Sequence, residues 1–192
     1  MIRTKALAGL LVIPLLCGCG SIGDKLDFRD IREDFQGRRD RLQARSNTAY
    51  VAVPDSGSVT FRGEASLALG KPGYGIAMLG DAIVIVDFQR DSVSGTLSGF
   101  SGFDSNEDFA NYSGELLLED GILGAGNPND VEARIAGTLR SPDTIIDVDA
   151  LWEGHLKGTP IIGFLGDTTG SQSTFERNGQ RVPGGIVIAV TN

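Results

Sequence analysis

One histidine and a few acidic residues are the side chains of this sequence that could carry catalysis. His155 lies on a predicted strand, where alternation places Trp152, Gly154 and Leu156 on the opposite face and leaves the imidazole towards solvent. A catalytic or haem-ligating role is the alternative to that solvent position. A single histidine cannot build a multi-histidine zinc site, and no Gly-x-Ser-x-Gly segment supplies a nucleophile. We therefore expect no catalytic residue, no cofactor and no enzyme activity.

Two acidic groups deserve comparison with known kinds of site. Asp147, Asp149 and Glu153 share one face of a regular strand and could form a paired-carboxylate site, or simply a solvated acidic face. The run Asp104–Asp108 alternates oxygen ligands like the opening of a calcium loop. However, Phe109 occupies the position of the turn glycine, and no glutamate closes the loop. Neither group predicts a metal site.

The N-terminus has the composition of an export signal. Arg3 and Lys5 form a positively charged start, and the apolar run 6–16 follows. That run is shorter than the roughly 20 residues needed to span a bilayer. We predict a cleavable signal peptide over residues 1–18.

The two cysteines come at the end of this apolar run. The segment Leu16-Cys17-Gly18-Cys19 resembles the bacterial lipobox, with an aliphatic residue three positions before the modified cysteine and a small residue just before it. The resemblance implies lipidation at Cys19 and loss of Cys17 with the signal. The alternative is an ordinary secretory signal that leaves one or both thiols in the mature chain. A disulfide between cysteines one residue apart rarely meets the required geometry. Gly20-Ser21 follows, without the aspartate that retains lipoproteins at the inner membrane, so we expect the outer membrane.

Charge divides the rest of the chain near residue 46. The sequence has 17 Lys and Arg against 25 Asp and Glu, and loss of Arg3 and Lys5 would leave 15 against 25, a net charge of −10. That field would repel nucleic acid, so we expect no such partner. Residues 24–45 are densely charged, with Phe28, Ile31, Phe35 and Leu42 at helical spacing. We predict that residues 19–49 form a lipidated charged tether, either as a short amphipathic helix or as a partly disordered segment.

Residues 50–192 have the alternation of antiparallel strands. Eight candidate strands are separated by short polar turns, and the sequence contains 27 glycines, which permit the bends that close a small cylinder. We predict an all-β domain, an eight-stranded antiparallel up-and-down β-barrel, with a two-sheet sandwich as the alternative. The candidates cover residues 59–69, 81–88, 93–100, 111–118, 131–139, 145–156, 161–166 and 186–191.

Two of these strands resemble a known family. A strand ending in Asp87-Phe88, a tight turn and the strand Val93-Ser94-Gly95-Thr96-Leu97 are similar to the barrel domain of transferrin-binding-protein-like surface lipoproteins, including factor H-binding protein. The Gly-Thr-Leu pattern returns at Gly137-Thr138-Leu139. The resemblance implies a barrel whose variable loops bind a partner. Residues 161–185 depart from the family's pattern before its last strand, so the ligand of those proteins cannot be transferred to this chain.

Two functional hypotheses follow. The first is a lipid-anchored outer-membrane protein, exposed at the cell surface, that binds a host or extracellular protein or a small ligand. The second is a structural or assembly lipoprotein that faces the periplasm and has no ligand. In both, the N-terminal lipid is the contact with the membrane.

Overall fold

The computed structural model describes residues 22–71, 75–103, 108–168 and 172–192, without the side chains of residues 22–27. One helix, α1 (Ile22–Gln43), precedes a short 3₁₀ turn (Tyr50–Ala52) and a single continuous β-sheet. The strands are β1 (Ser58–Leu69), β2 (Ile76–Asp87), β3 (Ser92–Phe103), β4 (Phe109–Asn111), β5 (Ser113–Leu123), β6 (Asp130–Arg140), β7 (Ile145–Lys157), β8 (Gly163–Thr168), β9 (Thr174–Arg177), β10 (Gln180–Val182) and β11 (Gly184–Thr191).

The sheet closes into an eight-stranded antiparallel barrel, which confirms the predicted fold. Neighbouring strands pair in the order β1, β2, β3, β5, β6, β7, β8, β11, and β11 returns to β1. One edge of β7 pairs with β6. The opposite edge pairs with two strands, its first half with β9 and its second half with β8. β4 pairs with β3, and β10 pairs with β9.

Alternation explains why each strand faces as it does. Along β7, the residues Ile146, Val148, Ala150, Trp152 and Leu156 point inwards and are buried. Residues between them point outwards, as the period of two requires. The interior is filled by side chains, the largest of which are Phe61, Phe100, Trp152 and Phe164, all under 2% exposed. Trp152 and Phe164 are in contact, with ring centroids 4.9 Å apart.

Glycine makes room for the tryptophan. A Cβ atom at Gly166 would lie 2.5 Å from Trp152 Cζ2, and one at Gly154 would lie 2.9 Å from Cη2. These two residues are paired across β7 and β8. The indole therefore fills the space that two side chains would otherwise occupy.

Helix α1 packs on the outside of the barrel. Phe28, Phe35 and Leu42, spaced by seven residues, are buried together with Leu79 and Ala189. The stripe predicted from the sequence also included Ile31, which is 39% exposed and lies at the edge of the contact. Of the two alternatives for residues 24–45, the structure has the helix, and its apolar face contacts the barrel wall.

The helix runs from one end of the barrel to the other. The Phe28 ring contacts Phe103 and Phe109, with centroids 5.2 and 5.9 Å away. Leu42, near the C-terminal end of α1, lies against Gly163, where a Cβ would stand 2.6 Å from Leu42 Cδ2. We call the barrel end where α1 begins, which holds the β6–β7 turn, the proximal end. The other end, with the β2–β3, β5–β6 and β7–β8 turns, is the distal end.

Candidate functional site

Cys19, the predicted lipidation site, lies outside the described residues, as does the predicted signal peptide over residues 1–18. It is three positions before Ile22, where α1 begins at the proximal end. Among the described residues, no helix combines the length and the apolar character that crossing a bilayer requires. The lipidation therefore stays a prediction.

His155 lies on the outer face of the barrel, as alternation predicted. Its Nδ1 donates to Asp130 Oδ1 at 2.8 Å, and its side chain is 44% exposed. The other oxygen of Asp130 accepts from the backbone and side-chain nitrogens of Asn127, at 2.9 and 2.7 Å. Partial burial raises the pKa of Asp130, but the bonds from Asn127 and His155 outweigh it and lower the pKa below its ordinary value. The carboxylate thus joins the β5–β6 turn to β7.

The three outward carboxylates of β7 do not form a common site. Asp149 is held by Arg134 through two bonds of 2.7 Å, which lower the pKa of this carboxyl group. Asp147 accepts a bond of 2.6 Å from the Thr138 hydroxyl. Glu153 is exposed further along the strand. Asp147 and Asp149 each bond a partner on β6, so these two carboxylates take part in cross-strand pairing.

The acidic run 104–108 is described only at its last residue. Residues 104–107 lie outside the described part of the chain, and Asp108 is exposed. Phe109 begins β4 and packs against Phe28 and Phe103. Within the described ranges, no group of three or more His, Cys, Asp and Glu side chains is arranged to hold a metal ion.

A groove of 480 Å³ runs between the C-terminal half of α1 and the β7–β8 wall. The polar side chains that line it carry both charges: Arg39, Gln43, Glu153, His155, Lys157 and Asp167. Burial lowers the pKa of the Lys157 ammonium group, which donates to Asn47 Oδ1 at 2.7 Å. Because opposite charges alternate around this groove, it favours neither an anion nor a cation.

A larger cleft, of 620 Å³, opens at the distal end. We call it the distal cleft. Three separate parts of the chain build it: the 3₁₀ turn with the residues after it, the β2–β3 turn, and the β5–β6 turn. Its lining consists of Tyr50, Val51, Val53, Pro54, Asp55, Phe88, Gln89, Asp91, Leu123, Gly124 and Pro128. Sequence reasoning did not find this cleft, because no local motif connects residues so far apart in the chain.

Hydrogen bonds hold the segment that forms one wall of the distal cleft. Thr48, only 1% exposed, donates its backbone N–H to Leu156 and its hydroxyl to the Gly158 carbonyl, at 2.9 and 2.8 Å. The Asn129 side chain donates to the Thr48 carbonyl at 2.7 Å. Tyr50 and Val51 follow after Ala49, and they are 71% and 90% exposed. The segment is thus fixed while its two large apolar residues remain open to solvent.

Comparison with known proteins does not identify the chain. No protein-family model matches it, and neither a curated protein nor a solved structure matches it. The resemblance to transferrin-binding-protein-like lipoproteins therefore has the status of a prediction.

Proposed function

We propose that this chain is a lipoprotein of the outer membrane, anchored through Cys19, whose barrel binds a protein or small ligand at the cell surface. The observation that carries the proposal is the path of α1. The helix begins at the proximal end, shortly after the predicted lipid, and packs along the barrel to the distal end. An anchor on Cys19 would hold the proximal end near the bilayer and turn the distal cleft away from it.

The filled interior supports binding at the surface. Small β-barrels that carry a ligand inside leave space between their inward side chains. Here Phe61, Phe100, Trp152 and Phe164 occupy that space. Recognition by loops on a rigid scaffold is a common arrangement in proteins, and the distal cleft is built from such connections.

Metabolic labelling with a clickable fatty acid tests the anchor. We expect the label to be present in the wild-type protein and in Cys17→Ala, and absent in Cys19→Ala. Mass spectrometry of the mature protein should show loss of residues 1–18. Label retained by Cys19→Ala and lost from Cys17→Ala would move the anchor and contradict the proposed cleavage site.

Proteinase treatment of intact cells tests the exposure. A surface-binding lipoprotein is digested, whereas a periplasm-facing structural or assembly lipoprotein is protected until the outer membrane is permeabilised. Protection in intact cells would support the second hypothesis and overturn binding at the cell surface.

A further inference from the structure

The distal cleft combines apolar side chains with an excess of negative charge. Tyr50, Val51, Val53, Pro54 and Pro128 contribute apolar surface to it, while the lining residues Phe88 and Leu123 are buried. Among the described residues that line it, Asp55 and Asp91 are the charged ones, so this lining has two carboxylates and no cation. Such a lining favours a ligand that is itself part apolar and part cationic.

Both carboxylates are available to a ligand. Neither Asp55 nor Asp91 forms an ion pair or a side-chain hydrogen bond with another described residue. The adjacent cation of the turn, Arg90, is held by Asp87 instead, with Nη1 2.6 Å from Oδ2. The attraction of the cleft for a positive group is therefore not cancelled by the arginine of its own turn.

The turn that presents Asp91 is fixed in place. Asp87 accepts bonds from the backbone N–H groups of Gln89 and Arg90, at 3.0 and 3.1 Å. Asp91 itself has a φ of 49°, and its carbonyl accepts from the Leu123 N–H at 2.8 Å. Since Thr48 fixes the opposite wall, the cleft needs little rearrangement to bind, which lowers the entropic cost of association.

We infer that the distal cleft binds a cationic segment of a protein partner, placing a lysine or arginine between Asp55 and Asp91 and an apolar neighbour on Tyr50 and Val51. The inference rests on the proposed function, since it names the class of ligand for the same barrel end. The Tyr50 ring adds attraction for the cation through its π face. The exposure of Tyr50 and Val51 supplies the apolar surface that a partner would cover.

The test uses the full chain, purified in non-ionic detergent, and a fluorescein-labelled peptide of three Lys-Leu-Gly repeats. Fluorescence anisotropy should show saturable binding, with little binding of the matched Glu-Leu-Gly peptide. The double variant Asp55→Asn with Asp91→Asn should weaken Kd about fivefold, because two partly exposed ion pairs are lost. Asparagine tolerates positive φ, so this change at Asp91 preserves the turn.

A matched control separates the cleft from general charge attraction. Asp143→Asn with Glu176→Gln removes the same two negative charges, from the β6–β7 turn and β9 at the proximal end. This control should bind the basic peptide like the wild type, whereas Tyr50→Ala should weaken binding without changing the circular dichroism spectrum. Equal weakening in both double variants, equal affinity for the acidic peptide, or no saturable binding would each overturn the inference. Fatty-acid labelling of Cys19 is read separately, so failure of the anchor and failure of the cleft give different results.

Discussion

Asp130 and His155 face each other across the β6–β7 pairing, and the carboxylate accepts from the imidazole Nδ1 at 2.8 Å while also receiving two bonds from Asn127. A carboxylate paired with an imidazole is also found in catalytic dyads, but here each bond of Asp130 connects two neighbouring parts of the barrel. The Asp130 carboxylate, on the first residue of β6, is bonded to Asn127 in the β5–β6 turn and to His155 on β7.

The hydrogen bonds of Asp130 should make part of the free energy of unfolding sensitive to acid. Because the pKa of Asp130 is lowered in the folded chain, the stability that Asp130 contributes is present above its ordinary pKa of about 3.8 and is lost as the pH falls below that value through the folded pKa. Asp130→Asn should cost about 1 kcal/mol at pH 7 and progressively less as the pH falls below about 4. Urea unfolding of both proteins at several pH values measures the difference. A pH-independent difference would show that Asp130 acts through packing alone.

The docking of α1 depends on a few buried side chains. Leu42→Ala should lower the free energy of unfolding by about 3 kcal/mol, because Leu42 is 1% exposed between the helix and the barrel. Ile31→Ala is the matched control on the same helix, and since Ile31 is 39% exposed it should cost less than about 1 kcal/mol. Equal effects of the two changes would mean that Phe28, Phe35 and Leu42 do not define the face of α1 that contacts the barrel. Chemical denaturation followed by circular dichroism gives both values.

The single tryptophan reports on the barrel interior. Trp152 is fully buried against Phe164, so its fluorescence should be blue-shifted and resistant to acrylamide quenching. Gly166→Ala would place a methyl group against the indole and the neighbouring backbone, and it should destabilise the fold by about 2 kcal/mol. Gly179→Ala, also a glycine substitution but with open space around it, separates crowding from the loss of glycine, although its positive φ adds a smaller strain. Efficient quenching in the wild-type protein would contradict a filled interior.

Two of the arginine–carboxylate pairs, Arg38–Glu64 and Arg134–Asp149, should differ in strength. Arg38 Nη1 contacts Glu64 Oε2 where the two side chains are 21% and 15% exposed, and Arg38 Nε is buried without a partner among the described residues. Glu64→Gln should therefore cost about 2 kcal/mol, since it leaves a largely buried guanidinium unpaired. Arg134 and Asp149 are 51% and 55% exposed, so Asp149→Asn should cost less than about 1 kcal/mol. Thermal unfolding at low and high salt compares them, and a larger loss in Asp149→Asn would reverse the argument.

Much of the barrel could be predicted because the alternation of apolar and polar residues can be seen within each strand alone. Each of the eight predicted strands overlaps a strand of the barrel, since inward apolar residues such as Leu97, Ile135 and Ile188 alternate with polar ones. The hairpin of β9 and β10 was not predicted. Among its described residues only Phe175 is buried, and Val182, the second apolar position in these nine residues, is half-buried, so two apolar positions seven residues apart give no alternating period.

The surfaces could not be predicted to the same degree. Leu79 and Ala189 point out of the barrel, and nothing in their own strands indicates that α1 covers them. The distal cleft could not be predicted either, because its lining residues come from distant parts of the sequence. Tyr50, Phe88 and Leu123 are far apart in the chain, and they meet at one end only through the strand register and the hydrogen bonds of Thr48.

Closure of the ring between β1 and β11 has a consequence for the order in which the chain emerges from the ribosome. β1 is made first among the strands, yet its second edge stays open until β11, made last, pairs with it over residues 62–69. Ile186, Ile188 and Val190 of β11 complete the apolar interior only at that moment. An unfinished chain therefore exposes both a strand edge and an incomplete core, which are the features that promote aggregation of folding intermediates. If the chain is exported, a holdase that covers those two surfaces until synthesis ends would increase its yield.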